Sequence, residues 1–134
     1  MIIEGELPGR FVWKDDKCVA FLSINPLSSG HTLVVPRDEI DHWIDLDDDL
    51  LQHLMGVSKK IGEALNLGFK PVKVAVMIAG LEVPHAHIHV VPMMGAHDLD
   101  VDNANLAPDP DELDAAADRV RAALTALGHP EVSD

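Results

Sequence analysis

In the run His85-Ala86-His87-Ile88-His89-Val90-Val91, three histidines alternate with small or apolar residues. Side chains on a β-strand point to opposite faces with period two. The pattern therefore predicts a strand carrying all three imidazoles on one face, with Ala86, Ile88 and Val90 on the other. Histidine has an unperturbed pKa of about 6.5 and changes proton roles near neutral pH. Three imidazoles in register make either a proton-handling nucleophile site or a metal site. A merely wet, polar strand face is the bland alternative, and the apolar face behind all three histidines weighs against it.

The rest of the chain must build a layer around that strand. A chain of 134 residues fits one domain that buries roughly two thirds of its unfolded surface. Hydrophobic residues make up 47% of it, which argues for a packed core and against disorder. Ten basic against 23 acidic residues leave a net charge of −13. Such a balance excludes an electrostatic footprint for nucleic acid or an anionic membrane. The acids cluster in Asp45 to Asp49 and Asp98 to Glu112, which read as solvated loops and helix starts. Cys18 is the only cysteine, so an intramolecular disulfide is excluded and the thiol reads as a small buried hydrophobe. Neither a signal-peptide pattern nor a bilayer-spanning apolar run is present, and the expectation is a cytoplasmic protein.

Phe11 to Lys14 and Lys17 to Ile24 read as strands joined at Asp15-Asp16, and His31 to Val35 as a third strand after the loop through Gly30. Leu50, Leu54, Val57, Ile61 and Leu65 keep the 3.6 period, predicting a helix capped at Asp45 or Asp47 and ended at Gly68. Val72 to Ala79 has the Val content and length of a buried strand. The histidine strand runs to Pro92, and Met94 to Pro108 reads as a surface excursion. A final helix starts at Asp109 and Pro110, with Glu112 completing a capping box. Its stripe is Leu113, Ala117, Val120, Leu124 and Leu127, closed by Gly128. The expected fold is α+β: a single-domain antiparallel sheet covered by two main helices, over residues 1–134.

Two chemistries suit the histidines. One neutral imidazole can attack an electrophile, phosphorus above all, while its neighbours fix its tautomer and donate to developing charge. Alternatively the imidazoles ligate a metal, most naturally zinc, helped by Glu82 or His31. A metal set usually brings carboxylates for the ring N–H groups, and the strand itself supplies none. The expectation is no metal and no cofactor. His42, His53, His97 and His129 are scattered and read as surface or helix histidines, and Trp13 and Trp43 as core or contact aromatics.

The histidine run is similar to the signature of the histidine-triad family of nucleotide hydrolases and transferases. The resemblance continues upstream through Ile3-Glu4-Gly5-Glu6-Leu7-Pro8, Ala20-Phe21-Leu22-Ser23-Ile24-Asn25-Pro26 and Gly30-His31-Thr32-Leu33-Val34-Val35-Pro36. With Ala79-Gly80 and Val83-Pro84 it covers about residues 1–92. It implies an α+β fold that pairs into a homodimer and attacks the α-phosphate of a nucleotide derivative through a nucleotidyl-histidine intermediate. By position His87 resembles the nucleophile, His85 and His89 its flanking partners, and His31 the supporting histidine. Ile24 matches a residue that lies against the nucleoside.

This chain departs from that pattern in several places. Ser23 stands where an acid often holds the ribose, and Val74 where an Asn is usual. Leu81 and Glu82 replace a Gln and a phosphate-donating hydroxyl, Met93 replaces an Arg, and the N-terminal Cys-x-x-Cys pair is missing. Ser23, Ile24 and Glu82 are the expected substrate contacts. Three readings stand: a nucleotidyl hydrolase or transferase acting on a phosphoramidate or dinucleoside polyphosphate, a nucleotide-binding regulatory dimer with little turnover, and a metal-dependent hydrolase using His85, His87, His89 and Glu82.

Overall fold

A computed structural model describes residues 10–78, 84–100 and 104–133. Five strands, β1 (Phe11–Lys14), β2 (Cys18–Leu22), β3 (Thr32–Pro36), β4 (Lys73–Met77) and β5 (Ile88–Met93), form one antiparallel sheet in the order β1-β2-β3-β5-β4. Helices α1 (Asp48–Phe69) and α2 (Pro110–Ala126) pack together against one of its faces. This is the expected single-sheet α+β architecture. Short 3-10 turns lie at Trp43–Asp45 and Ala96–Leu99. Among the described residues no helix is long and apolar enough to cross a membrane.

Alternation on the central strands builds two unlike faces. Ala20, Leu22, Val34, Ile88 and Val90 meet Leu54, Val57, Ile61 and Leu65 of α1 and Val120 and Leu124 of α2 in the main core. Each such aliphatic side chain contributes about 1.5–3 kcal/mol on full burial. Val19, Phe21 and Val35, with Phe11 and Leu33, form a smaller cluster on the other face.

Several expected boundaries shift, each for a physical reason. α1 does not end at Gly68 but runs to Phe69, and Lys70 takes the left-handed cap at φ 51°. Gly68 instead admits α2, since a Cβ there would stand 3.2 Å from Arg119 Cγ. The helix starts after Asp47 without a side-chain cap, and Asp48 and Asp49 complement its positive end. At α2, Asp109 Oδ1 accepts from the Asp111 amide at 2.9 Å, so the cap reaches the second helical residue and not Glu112. Leu127, predicted to join the α2 stripe, lies past the helix and is 42% exposed.

The histidine strand is the main correction. β5 begins only at Ile88, so His89 alone of the three lies on it, while His85 and His87 precede it. The segment containing both turns to bond elsewhere: the Ala86 amide donates to the Ile40 carbonyl, outside the sheet. β5 continues through Pro92 to Met93 because its pairing to β3 stops at Val90, beyond which the missing proline N–H faces no β3 partner. β4 is likewise not the buried strand its composition predicts. It is an edge strand, with Val76 49% exposed.

The two sheet edges differ. Next to β1, Val132 bridges Trp13 and the Lys14 amide donates to the Glu131 carbonyl, so the C-terminal segment covers that edge. No strand pairs with the outer side of β4 among the described residues.

Candidate active site

The site is built where β3 starts, where β5 starts, and along the segment leading into β5. After β2 the chain loops through Ser23 to Gly30 and returns, the Ser23 amide donating to the His31 carbonyl at 2.9 Å. Gly30 permits the return: its φ is +96°, and a Cβ would come within 3.0 Å of Phe69. Any other residue meets both strain and collision. The Ser28 hydroxyl donates to the Pro92 carbonyl, tying the loop to the far end of β5.

His31 is thereby fixed against β5. The Leu27 amide donates to His31 Nδ1 at 3.0 Å. An amide can only donate, so Nδ1 is bare and the neutral ring carries its proton on Nε2. That Nε2 stands 2.9 Å from His89 Nδ1 and donates to it, leaving the His89 proton on its own Nε2. Neutrality of both rings has a clear origin. Burial, with the neighbouring His89 and His87 adding to it, pushes His31 down to about 3. Burial and then His87 push His89 down to about 4. Near pH 7 the pair is a relay of neutral dipoles that ends in an N–H donor.

His87 has the opposite polarity. Its Nδ1 lies 2.7 Å from the His85 carbonyl. A carbonyl can only accept, so Nδ1 holds the proton and the lone pair of the neutral ring sits on Nε2. The His87 and His89 rings lie edge to face with centroids 4.8 Å apart. His85 is buried and donates through Nε2 to the Pro36 carbonyl at 2.7 Å, which anchors the segment to the end of β3. A free nitrogen lone pair therefore stands beside an N–H donor, as nucleophilic attack with stabilisation of developing negative charge requires.

The strand register extends this site across the sheet. His89 pairs with Leu33, Leu33 with Phe21 and Phe21 with Phe11. Residues directly opposite one another share a face, so these four form one row on the face away from the helices. Phe11 and Phe21 meet edge to face at 5.6 Å.

Of the expected substrate contacts, Ile24 is 57% exposed at the loop tip and Ser23 Oγ accepts from the Asn25 amide at 3.2 Å. Glu82 lies outside the described residues. The structure thus brings His31, His87 and His89 together and gives His85 an anchoring place. Sequence reasoning missed the Leu27 amide and the Pro36 carbonyl, since backbone groups leave no residue signal. Phe11 and Phe21 were legible as strand residues but not as part of the row that reaches His89.

Among the described residues no carboxylate bonds to these four imidazoles. A different set, Asp15, Cys18 and His53, has its donor atoms within 4.8 Å of one another. His53 lies on α1, as expected of a helix histidine, and its Nε2 is also 2.8 Å from Asp15 Oδ2. His129 stacks edge-on against the buried Trp13, whereas His42 and Trp43 are exposed. The side chain of His97 lies outside the described residues.

Comparison with known proteins decides the family. A family model described as the HIT domain matches residues 4–95. The chain belongs to the histidine-triad (HIT) family. A HIT-like protein of Methanocaldococcus jannaschii is 39% identical over 95 residues, covering 68% of this chain and 74% of that protein. Among solved structures, a hypothetical histidine triad nucleotide-binding protein of Sulfolobus tokodaii superposes with a TM-score of 0.83 at 25% identity, covering 94% of this chain and 90% of that one. A zinc-bound histidine triad family protein of Mycobacterium smegmatis gives a TM-score of 0.78 at 26% identity, covering 94% and 91%. The HIT family assignment thus rests on sequence and fold together.

Proposed function

We propose that the protein is a nucleotidyl hydrolase or transferase that cleaves the α-phosphate linkage of a nucleotide phosphoramidate or dinucleoside polyphosphate, with His87 as nucleophile. The observation that carries this reading is the 2.7 Å contact of His87 Nδ1 with the His85 carbonyl, which leaves the Nε2 lone pair available. Membership of the family and the likeness to a nucleotide-binding relative support the substrate class.

His87 Nε2 attacks the α-phosphorus, forming a P–N bond as the bond to the leaving amine or phosphate breaks. The leaving group departs with a proton from solvent when it is an amine. Charge gathers on the phosphoryl oxygens, where His89 Nε2–H donates, held in that tautomer by His31 and the Leu27 amide. Water then attacks phosphorus, the P–Nε2 bond breaks, and the nucleoside monophosphate leaves. The row Leu33, Phe21 and Phe11 with Ile24 offers apolar surface for a nucleoside, and Ser23 is the hydroxyl nearest in sequence to it.

The working unit in this proposal is a homodimer formed through β4 and α1. An uncovered edge strand is a template for pairing, and Val72, Val76, Met55 and Leu67 beside it are exposed apolar side chains. Light scattering should report twice the chain mass at micromolar concentration, and a monomer would rule the dimer out. The function is tested by incubation with adenosine 5′-phosphoramidate. AMP release by the wild-type chain, unaffected by chelators, is expected; no release from this or from dinucleoside polyphosphates would overturn the enzymatic reading.

A further inference from the structure

Away from the histidine site, the β1–β2 turn and the second turn of α1 converge on one carboxylate. Asp15 Oδ1 accepts from the Lys17 and Cys18 amides, each at 2.8 Å. Its Oδ2 accepts from Trp13 Nε1 at 2.8 Å and lies 2.8 Å from His53 Nε2 and 3.5 Å from Cys18 Sγ. The nucleotide chemistry uses none of these groups. We propose that Asp15 Oδ2, Cys18 Sγ and His53 Nε2 bind a borderline divalent transition-metal ion such as Zn2+, replacing the protons that now lie between them.

Geometry supports this. Zinc bond lengths in a tetrahedral site place S···O at about 3.6 Å and N···O at about 3.4 Å. The observed 3.5 Å Sγ–Oδ2 separation already fits. The 2.8 Å Nε2–Oδ2 separation requires His53 to withdraw by roughly half an ångström. His53 can do so, since its side chain is 30% exposed. The carboxylate is already oriented by the two turn amides and the Trp13 indole, as supporting hydrogen bonds orient ligands in metal sites.

Charge supports it as well. One dication with one carboxylate, one thiolate and one neutral imidazole sums to zero, so no net charge is buried. Without a cation the thiol stays protonated: burial, then the charge of Asp15 and to a lesser degree Asp16, pushes Cys18 up against the opposing pull of Arg37. A bound dication reverses that balance. Binding releases the Cys18 proton, and the His53 proton when that ring is charged.

The test uses cobalt as the spectroscopic probe. Because Cys18 is the only cysteine, a thiolate-to-cobalt charge-transfer band can come from no other residue. The full chain, stripped by chelator and kept reduced, should develop the near-ultraviolet band at one cobalt per chain, and zinc should erase it. His53→Gln should weaken binding by more than the roughly 10–100-fold typical of losing a supporting partner, and Cys18→Ala should abolish the band. His87→Ala should leave it unchanged. Absence of the band at saturating cobalt, or its persistence unchanged in His53→Gln, would overturn the proposal. His53 lies on the partly exposed side of α1, so that variant stays informative even if Cys18→Ala does not fold.

Discussion

Two side-chain clusters that contain histidine are held by opposite means. In the triad region every described ring bond runs to a backbone group or another imidazole. At the hairpin, His53 faces the Asp15 carboxylate, whose burial alone would raise it but whose bonds from Trp13, Lys17, Cys18 and His53 hold it well below the usual range. A carbonyl fixes the tautomer of the ring that donates to it, whereas the carboxylate also brings a negative charge that a cation can meet. The first arrangement commits His87 Nδ1 to the His85 carbonyl and reserves Nε2 for attack. The second sets a carboxylate, a thiol and an imidazole side by side.

The largest expected consequence lies at the nucleophile. His87→Ala should lower turnover of adenosine 5′-phosphoramidate by about four orders of magnitude or more, the scale seen when a nucleophile is removed. AMP binding, measured by calorimetry, should change little, because the lost interaction belongs to the transition state. Wild-type turnover in that variant would break the contrast between the clusters.

His89 is expected to contribute less. As the N–H donor to developing charge, its replacement in His89→Ala should cost about 10²–10³ in kcat, with KM nearly unchanged in steady-state assays. A larger effect on KM than on kcat would make His89 a ground-state binder instead.

Acid sharpens the comparison further. His31 is neutral when folded down to about pH 3, but the unfolded chain takes up its proton near the ordinary imidazole value of 6.5. The unfolded state therefore binds more protons in between, so stability is fully present above about 6.5 and falls as pH drops toward 3. Two units below 6.5 the contribution of His31 amounts to about 3 kcal/mol. Denaturant titrations at pH 7 and about 4.5 should show that loss, and His31→Gln should remove most of this increment. An equal acid loss in His31→Gln would place the sensitivity elsewhere.

The smallest effect concerns Glu82. By the family resemblance Glu82 takes the place of a phosphate-donating hydroxyl, and a carboxylate facing the substrate phosphate would replace a hydrogen bond by repulsion. A hydrogen bond to a charged group is worth about 1.5–3 kcal/mol, so Glu82→Ser should raise kcat/KM on adenosine phosphoramidate by roughly tenfold or more. A loss confined to amine leaving groups would instead give Glu82 a part in steering a cationic leaving group.

Much of this was legible in the chain. Period and capping residues placed both helices, and alternation placed β1 to β3 to within a residue or two. His31 and the three triad histidines were identifiable by pattern and by likeness to the family. Period-two spacing overstated the strand, because Ala86 finds its hydrogen bond at Ile40 and not in the sheet. Val content made β4 look interior, whereas it forms the sheet edge and leaves Val76 exposed. The Asp15 cluster escaped because His53 is 38 residues from Asp15, and a contact between a turn and a helix face has no local spacing. Gly68 was read as a helix stop because close helix packing and helix termination both call for a residue without a Cβ.

The central claim is that His87 Nε2 becomes bonded to phosphorus. Rapid acid quenching of the enzyme with adenosine 5′-phosphoramidate, followed by peptide mass spectrometry under conditions that preserve phosphoramidates, tests it directly. An adenylyl group on His87, formed and lost at rates compatible with turnover and missing in His87→Ala, is the predicted result. An adduct on His85 or His89, or sustained turnover with none at His87, would contradict it.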